Sequence, residues 1–197
     1  MKKQAIYQPS LKNTSLRQGE ILTNVVQYNP VASEISRETE ELPYNKIIHP
    51  YAIVVTQDCD LDWDYRARQS NNSQLSKLLN SIILCEIATA REVRDTADSM
   101  NSKEWKLVES HRHERFYFLE TIPLECELEQ IGLPELTADF KKIFGIDAAT
   151  LYRQLELGIA KRRAILSSPY LEHFSRRYYS FHGRVALPSQ YESEREG

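Results

Sequence analysis

The apolar residues of this 197-residue chain occur in short runs, and this pattern limits what the chain can fold into. The longest uninterrupted run extends over the five residues from Tyr51 to Val55, whereas a helix that crosses a bilayer needs about 20. Short apolar runs separated by polar stretches, without long helices between them, are typical of strands in a small antiparallel barrel. We therefore expect no membrane-spanning segment and a mixed α+β fold.

Four segments in the first two thirds of the chain have the length and the composition of β-strands. They lie at residues 19–26, 52–56, 81–87 and 115–119. Between the first two segments, the polar stretch from Tyr28 to Asn45 is long enough to form a loop.

The last third of the chain has the spacing of helices. Three helices are predicted, over residues 135–144, 148–166 and 168–182. Asp147 is the expected N-cap of the second helix, and Gly183 is expected to end the third. The third helix has aromatic residues three or four positions apart, which are Tyr170, Phe174, Tyr178 and Phe181.

Charge is unevenly distributed, although 25 basic and 28 acidic residues give a net charge of only −3. Residues 119–139 include six acids and no base, whereas residues 161–184 include six bases and one acid. Such segments form either solvated helix faces or a surface for a charged partner. On the second interpretation, Arg176, Arg177 and Arg184 are candidates for contact with phosphate or with a partner. The aromatic residues between them fit either a helical core face or a stack of nucleic-acid bases.

The densest polar feature follows the longest apolar run directly. Four carboxylates alternate with other residues at Asp58, Asp60, Asp62 and Asp64. If the strand continues, they share one face, which must meet water, basic side chains or a cation. Asp58 and Asp60 either accept backbone N–H bonds where the strand ends or hold a divalent cation such as Mg²⁺. An EF-hand is excluded because Trp63 and Gln69 occupy the positions of its glycine and glutamate.

Cysteine and histidine give no recognisable metal or thiol site. Cys59 lies between two carboxylates, which disfavour a thiolate. His111 and His113 could share one strand face and bind a metal, but no third ligand stands at a recognisable spacing. We expect a surface loop at these histidines, no zinc site and no cofactor.

The compartment is inferred from two features. The start of the chain, from Met1 to Ala5, has two lysines but no apolar segment behind them, so no secretory signal is expected. The three cysteines lie far apart and form no disulfide framework. Both features favour a cytoplasmic protein.

Three segments follow one another in a recognisable order. They are Gly19–Ile21 in an opening strand, His49–Val55 with its early proline, and Ile82–Thr89, which ends in threonine. This order resembles that of the MazF/PemK toxin family. Members of that family are small SH3-like barrels that cleave RNA without a metal. The resemblance implies an SH3-like β-barrel domain with long loops over residues 1–133, and the helical C-terminal extension over residues 134–197 would be an addition to it.

The resemblance also implies site residues. The catalytic arginine of the family falls on His49 and its catalytic threonine falls on Thr89. Histidine can act as a general acid or base, but it lacks the bidentate phosphate clamp of arginine. Arg66 and Arg68 would then hold the phosphate.

Our interpretation is a toxin-derived or defence-associated bacterial module that binds RNA or a protein partner through its barrel and is not catalytic. One alternative is a metal-independent endoribonuclease toxin that uses His49 and Thr89. A second alternative is a divalent-metal enzyme centred on Asp58 and Asp60. The expected partner is a protein of a larger bacterial complex or an antitoxin. RNA and a second copy of the chain are further options, and a membrane is not.

Overall fold

A computed structural model describes residues 5–34, 43–70, 74–97 and 100–185. The strands are β1 (Tyr7–Pro9), β2 (Glu20–Pro30), β3 (Tyr44–Val54), β4 (Ser81–Thr89), β5 (Phe116–Leu119), β6 (Leu136–Asp147) and β7 (Lys161–Leu166). The α-helices are α1 (Asp58–Gln69), α2 (Ala90–Thr96), α3 (Ser102–Glu109), α4 (Ala148–Glu156) and α5 (Tyr170–His182). The predicted α+β class is confirmed. None of the helices in the described ranges has the length and the apolar character needed to cross a bilayer.

All seven strands belong to one sheet in the order β1-β7-β2-β3-β4-β6-β5. Every neighbouring pair is antiparallel. The four strands predicted in the first two thirds correspond to β2, β3, β4 and β5, and these predictions are confirmed. Strand β7, from the last third of the chain, lies between the two strands nearest the N-terminus.

The sheet curls strongly but is not closed into a barrel. Tyr7 on the edge strand β1 donates a hydrogen bond to the carbonyl of Glu120, directly after the other edge strand β5. No ladder of main-chain pairs joins these two edges within the described ranges. Helix α5 covers the concave face instead, where Phe174 and Phe181 pack among residues of the strands. The closed SH3-like barrel was therefore a wrong expectation, because a helix fills the space around which the strands would have closed.

Two parts of the predicted helical extension are strands. The segment predicted as a helix over residues 135–144 is β6, which pairs with β4 on one side and β5 on the other. Leu136 and Phe140 fit the spacing of a helix, but with Ala138 they also fit the period of two of a strand, and all three are buried on one face. The predicted boundary after residue 133 thus separates strands that pair within one sheet.

The second predicted helix is too long. Asp147 caps α4 as predicted, since its carboxylate accepts from the backbone N–H of Thr150 at 2.8 Å. The helix ends at Glu156, and Gly158 follows at a φ of 67°, a conformation that terminates helices. The remainder of the predicted helix forms β7. Helix α5 ends at Gly183 as predicted, and residues 186–197 of the expected extension lie outside the described ranges.

The core has a layer on each face of the sheet. The concave layer lies under α5, and the opposite layer packs Leu61 of α1 and Leu151 of α4 against β2, β3 and β4. A smaller cluster joins α2 and α3 to the start of β5 through Val93, Trp105 and Phe116. The helices therefore enclose most of the sheet and leave the far ends of β2 and β3 uncovered.

Gly19 should be more sensitive to substitution than Gly158. Both have a positive φ, 75° and 67° respectively, which costs an alanine about 1 kcal/mol or more. A Cβ on Gly19 would lie 2.6 Å from Cδ1 of Leu171, whereas a Cβ on Gly158 meets no atom within 4 Å. Gly19→Ala should therefore lower the free energy of unfolding in urea by about 1 kcal/mol more than Gly158→Ala. Equal losses would show that the approach of α5 to Gly19 is not tight.

Candidate partner-binding site

Strands β2 and β3 extend beyond the rest of the sheet as a two-stranded arm. Strand β7 pairs with β2 only over residues 20–23, and β4 pairs with β3 only over residues 51–54. Strands β2 and β3 pair with each other as far as Pro30 and Tyr44. We define the arm as residues 24–30 and 44–50. The arm replaces both ends of the predicted loop from Tyr28 to Asn45, whose residues 35–42 lie outside the described ranges.

The hydrogen-bond pattern of the arm determines which main-chain groups point outward. The N–H of Val31 donates to the carbonyl of Pro43, and the same register continues along the arm. In an antiparallel ladder, hydrogen-bonded pairs alternate with pairs whose N–H and C=O groups point away from each other. Tyr44, Lys46 and Ile48 belong to the second type, so their main-chain groups face outward. Within the described ranges, no strand pairs with this edge of β3.

Gln154 of α4 confirms the corresponding geometry on β2. Its side-chain amide accepts from the N–H of Val26 at 2.8 Å and donates to the carbonyl of Val26 at 2.7 Å. Gln154 is only 5% exposed, so its amide takes the place of a neighbouring strand at the base of the arm. The arm is thereby fixed to the body of the protein.

One face of the arm is apolar and exposed. The register places Tyr28, Tyr44 and Ile48 on the same face, and these side chains are 51%, 64% and 55% exposed. The two tyrosine rings meet edge to face at 5.2 Å. An exposed group of large apolar side chains beside an unpaired strand edge has the features of a strand-addition site.

His49 anchors the base of the arm. It is 5% exposed, and its ring stacks on Phe144 at a centroid distance of 3.7 Å. Its Nε2 lies 3.1 Å from the side-chain oxygen of Gln27, and its Nδ1 lies 3.4 Å from Glu86. The hydrogen bond with His49, with help from Lys142 at 2.7 Å, lowers the pKa of Glu86 to about 2. Both ring nitrogens of His49 thus have partners within the protein.

Thr89, the predicted partner of His49 in catalysis, belongs to a different network. Its hydroxyl accepts from the N–H of Glu92, and its own N–H donates to the Glu92 carboxylate, which is a capping box at the start of α2. No hydrogen bond joins Thr89 to His49 in the described part of the chain. The catalytic pairing of these two residues stays a prediction.

The aspartate run lies on α1 and not on a strand. Asp58 accepts from the N–H of Gln18 at 2.6 Å and from Arg17 at 2.8 Å. Asp60 accepts a long contact of 3.7 Å from Cys59 Sγ, and no shorter side-chain contact of Asp60 is present among the described residues. A helix separates alternate residues by about 200° around its axis, so the expected face of four carboxylates does not form. Within the described ranges, no group of three or more metal-ligand side chains is present.

The predicted arginine contacts fall on two distant parts of the surface. Arg66 pairs with Asp62 at 2.9 Å, and Arg68 pairs with the buried Asp64 at 2.9 Å and bonds the carbonyl of Leu79. These two arginines therefore neutralise the aspartate run itself.

Three predicted arginines lie on or after α5. Arg177 donates to the carbonyl of His113. Arg184 lies 3.6 Å from Glu114 and covers the ring of Phe181, and Arg176 is exposed. Sequence reasoning missed the arm, because residues 44–48 read Tyr-Asn-Lys-Ile-Ile and lack the alternation of apolar and polar side chains that marks a strand.

Comparisons with known proteins add no relative. No model of a protein family matches the chain, and neither the curated proteins nor the solved structures contain a significant match. The resemblance to the MazF/PemK family stays a prediction.

Asp58 and Asp60 should differ in their effect on stability. Asp58→Ala leaves the N–H of Gln18 without its acceptor, so it should lower the free energy of unfolding by about 1–3 kcal/mol. Asp60→Ala should change it by less than about 0.5 kcal/mol. Melting curves in EDTA and in Mg²⁺ should coincide for the wild type and both variants. If Mg²⁺ raised the melting temperature of the wild type, and either substitution abolished that rise, the result would support the divalent-metal alternative instead.

Acid should weaken the base of the arm through Glu86. Because the folded-state pKa of Glu86 is about 2, below its ordinary value of 4.5, this carboxylate stabilises the fold above pH 4.5 and loses that effect as the pH falls towards 2. The free energy of unfolding should therefore differ between the wild type and Glu86→Gln above pH 4.5, and the difference should shrink towards pH 2. Glu125→Gln, at an exposed position, is the control. A pH-independent difference would contradict the ionic role of Glu86.

Proposed function

We propose that this chain is a non-catalytic binding module that recruits a protein partner through the arm. The partner would add an extended strand to the outer edge of β3. One observation carries this proposal. The main-chain groups of Tyr44, Lys46 and Ile48 face outward, and these residues lie on the face of the arm that exposes large apolar side chains.

The arm can supply both affinity and register. Main-chain hydrogen bonds to an added strand fix the register of the partner, and side-chain contacts select its sequence. Full burial of a large apolar side chain contributes about 1.5–3 kcal/mol, and the arm offers Tyr28, Tyr44 and Ile48. Because Gln154 and His49 hold the base of the arm in place, the loss of conformational entropy on binding is reduced.

The preferred partner segment follows from the chemistry of the exposed face. Lys46 is the charged residue at the centre of that face, between Tyr44 and Ile48. The complementary segment is an extended, apolar strand with an acidic side chain opposite Lys46. The proposal also includes a bacterial toxin-derived or defence-associated setting, which is supported by the sequence resemblance alone. In that setting, β2 to β5 would be the remnant of an SH3-like unit.

The non-catalytic part of the proposal is supported by the partners of His49 and Thr89. The imidazole is buried against Phe144 and the hydroxyl belongs to a helix cap. On the endoribonuclease alternative, both side chains would have to leave these partners before they could act on a phosphodiester.

Replacement of the apolar face should abolish partner binding and leave the fold intact. Tagged wild type and the double variant Tyr28→Ser/Ile48→Ser would be expressed in the source cells, and the proteins that co-purify would be quantified. A specific partner should be lost about 100-fold or more in the double variant, because two buried side chains are removed. The control Leu75→Ser/Ile131→Ser removes two side chains that are 73% and 76% exposed outside the arm, and it should retain the partner.

A second pair of variants tests the main-chain contact with the partner that the first experiment identifies. Lys46→Pro removes an outward-facing N–H that no strand accepts in the described structure, whereas Lys46→Ala keeps it. The proline variant should bind at least about tenfold more weakly than the alanine variant, with unchanged circular dichroism. Equal binding by both variants, or retention of the partner by the double serine variant, would refute strand addition at this edge.

A further inference from the structure

A second group of functional side chains lies far from the arm along the chain, where α5 meets the turn at residues 111–113. His111 and Tyr117 face His173 and Arg177 of α5. The hydroxyl of Tyr117 is in a hydrogen bond of 3.0 Å with Nδ1 of His173. The ring of His111 lies 4.5 Å from that of Tyr117 and 5.3 Å from that of His173, measured between centroids. Two imidazoles, a phenol and a guanidinium thus share one site.

Two polar atoms of this cluster are buried and have no hydrogen-bond partner in the described structure. They are Nδ1 of His111 and Nε of Arg177. Arg177 is held in place by the bond from its Nη2 to the carbonyl of His113. Buried polar atoms are nearly always paired, so the unsatisfied nitrogens indicate that the cluster is adapted to a group that the protein itself does not provide.

The surroundings of the cluster have charges of both signs. Besides Arg177, the charged groups that act on His111 and His173 are Glu120 and Arg176, and those that act on the neighbouring His113 are Glu104, Glu114 and Arg115. Arg112 and Glu172 are the chain neighbours of the two cluster histidines. Burial lowers the pKa of both His111 and His173. The charge of His173 and then that of Arg177 lower the pKa of His111 further, and the charges of Arg177 and Arg176 lower that of His173 further. His113 has a different role, because its Nδ1 accepts from the N–H groups of Arg115 and Phe116. The pKa of each cluster imidazole thus lies below its ordinary value, and an anion bound beside it would raise that pKa.

We propose that the cluster of His111, His173 and Arg177 is a binding site for a phosphate group. The guanidinium provides a permanent positive charge, and the two imidazoles become donors to the phosphate oxygens on protonation. Tyr117 orients His173 through Nδ1, which leaves Nε2 as the nitrogen for the ligand. The site is separate from the partner-binding arm and does not depend on it.

Proton uptake gives this site a specific signature. Sulfate has the shape and charge of phosphate and does not titrate between pH 5 and 8, so it is the probe for proton linkage. If sulfate binds the protonated form of an imidazole, its affinity should fall about tenfold for each pH unit above the pKa of that histidine. NMR titration of the five histidines of the full-length chain should show that sulfate raises the pKa of His111 and His173 and leaves that of His182 unchanged.

Matched variants distinguish the site from a general attraction of anions to a basic surface. His173→Gln retains a hydrogen-bond partner for Tyr117, and Arg177→Lys retains a donor to the carbonyl of His113. Each should weaken sulfate binding at pH 6 by about tenfold or more. His182→Gln, on the same helix, should change it less than about twofold. No response of His111 and His173 to sulfate, or an equal response of His182, would overturn the proposal.

Two further ligands identify the source of the phosphate. Inorganic phosphate tests a small anion, and a single-stranded RNA oligomer tests a polynucleotide. Tighter binding of the oligomer with a steep salt dependence, lost in Arg177→Lys, would assign the site to nucleic acid. Equal affinity for the two ligands would assign it to a small phosphate ester. Failure of the arm variants to lose a protein partner would leave these results unaffected.

Discussion

The position of β7 in the sheet depends on two neighbouring arginines of this strand that are neutralised inside the protein. Arg162 donates to the carboxylate of Glu20 and Arg163 donates to that of Glu127, and both carboxylates are fully buried. Burial alone would raise the pKa of Glu127, but Arg163 and three backbone N–H groups of the loop at residues 127–132 lower it to about 2. An unpaired buried charge costs about 3–5 kcal/mol, so β7 is stable only where it meets both carboxylates.

The position of β7 in turn creates the arm. Strand β7 begins at Lys161, opposite Thr23, so β2 has no neighbouring strand on that side beyond Thr23. Gln154, a few residues earlier on α4, pairs with the outward-facing N–H and C=O of Val26. Beyond Val26, β3 is the one strand of the described ranges that pairs with β2. The same ion pairs that insert the last third of the chain into the sheet therefore determine where the sheet stops and where a partner strand could be added.

Local signals were sufficient for much of the fold. The apolar runs predicted β2, β3, β4 and β5, and the caps at Asp147 and Gly183 marked the correct helix ends. The segment of β6 was misassigned because its apolar residues fit both periods, and only its pairing with β4 and β5 decides between them. The closed barrel could not be excluded from the sequence, since the packing of α5 on the concave face is a non-local contact.

The candidate sites were harder to predict, because a charge in the sequence does not show where its partner lies. The basic segment that begins at Lys161 includes the two arginines buried in the sheet and also Arg177 beside His111 and His173. The first two are neutralised by carboxylates distant in the sequence, whereas the third has a nitrogen without a partner. Only the position of β7 and α5 separates the bases that carboxylates neutralise from those proposed to bind a ligand. A partner strand would contact the arm, and a phosphate would contact α5 and the turn beside it. These are different parts of the protein, so the two ligands could bind at the same time.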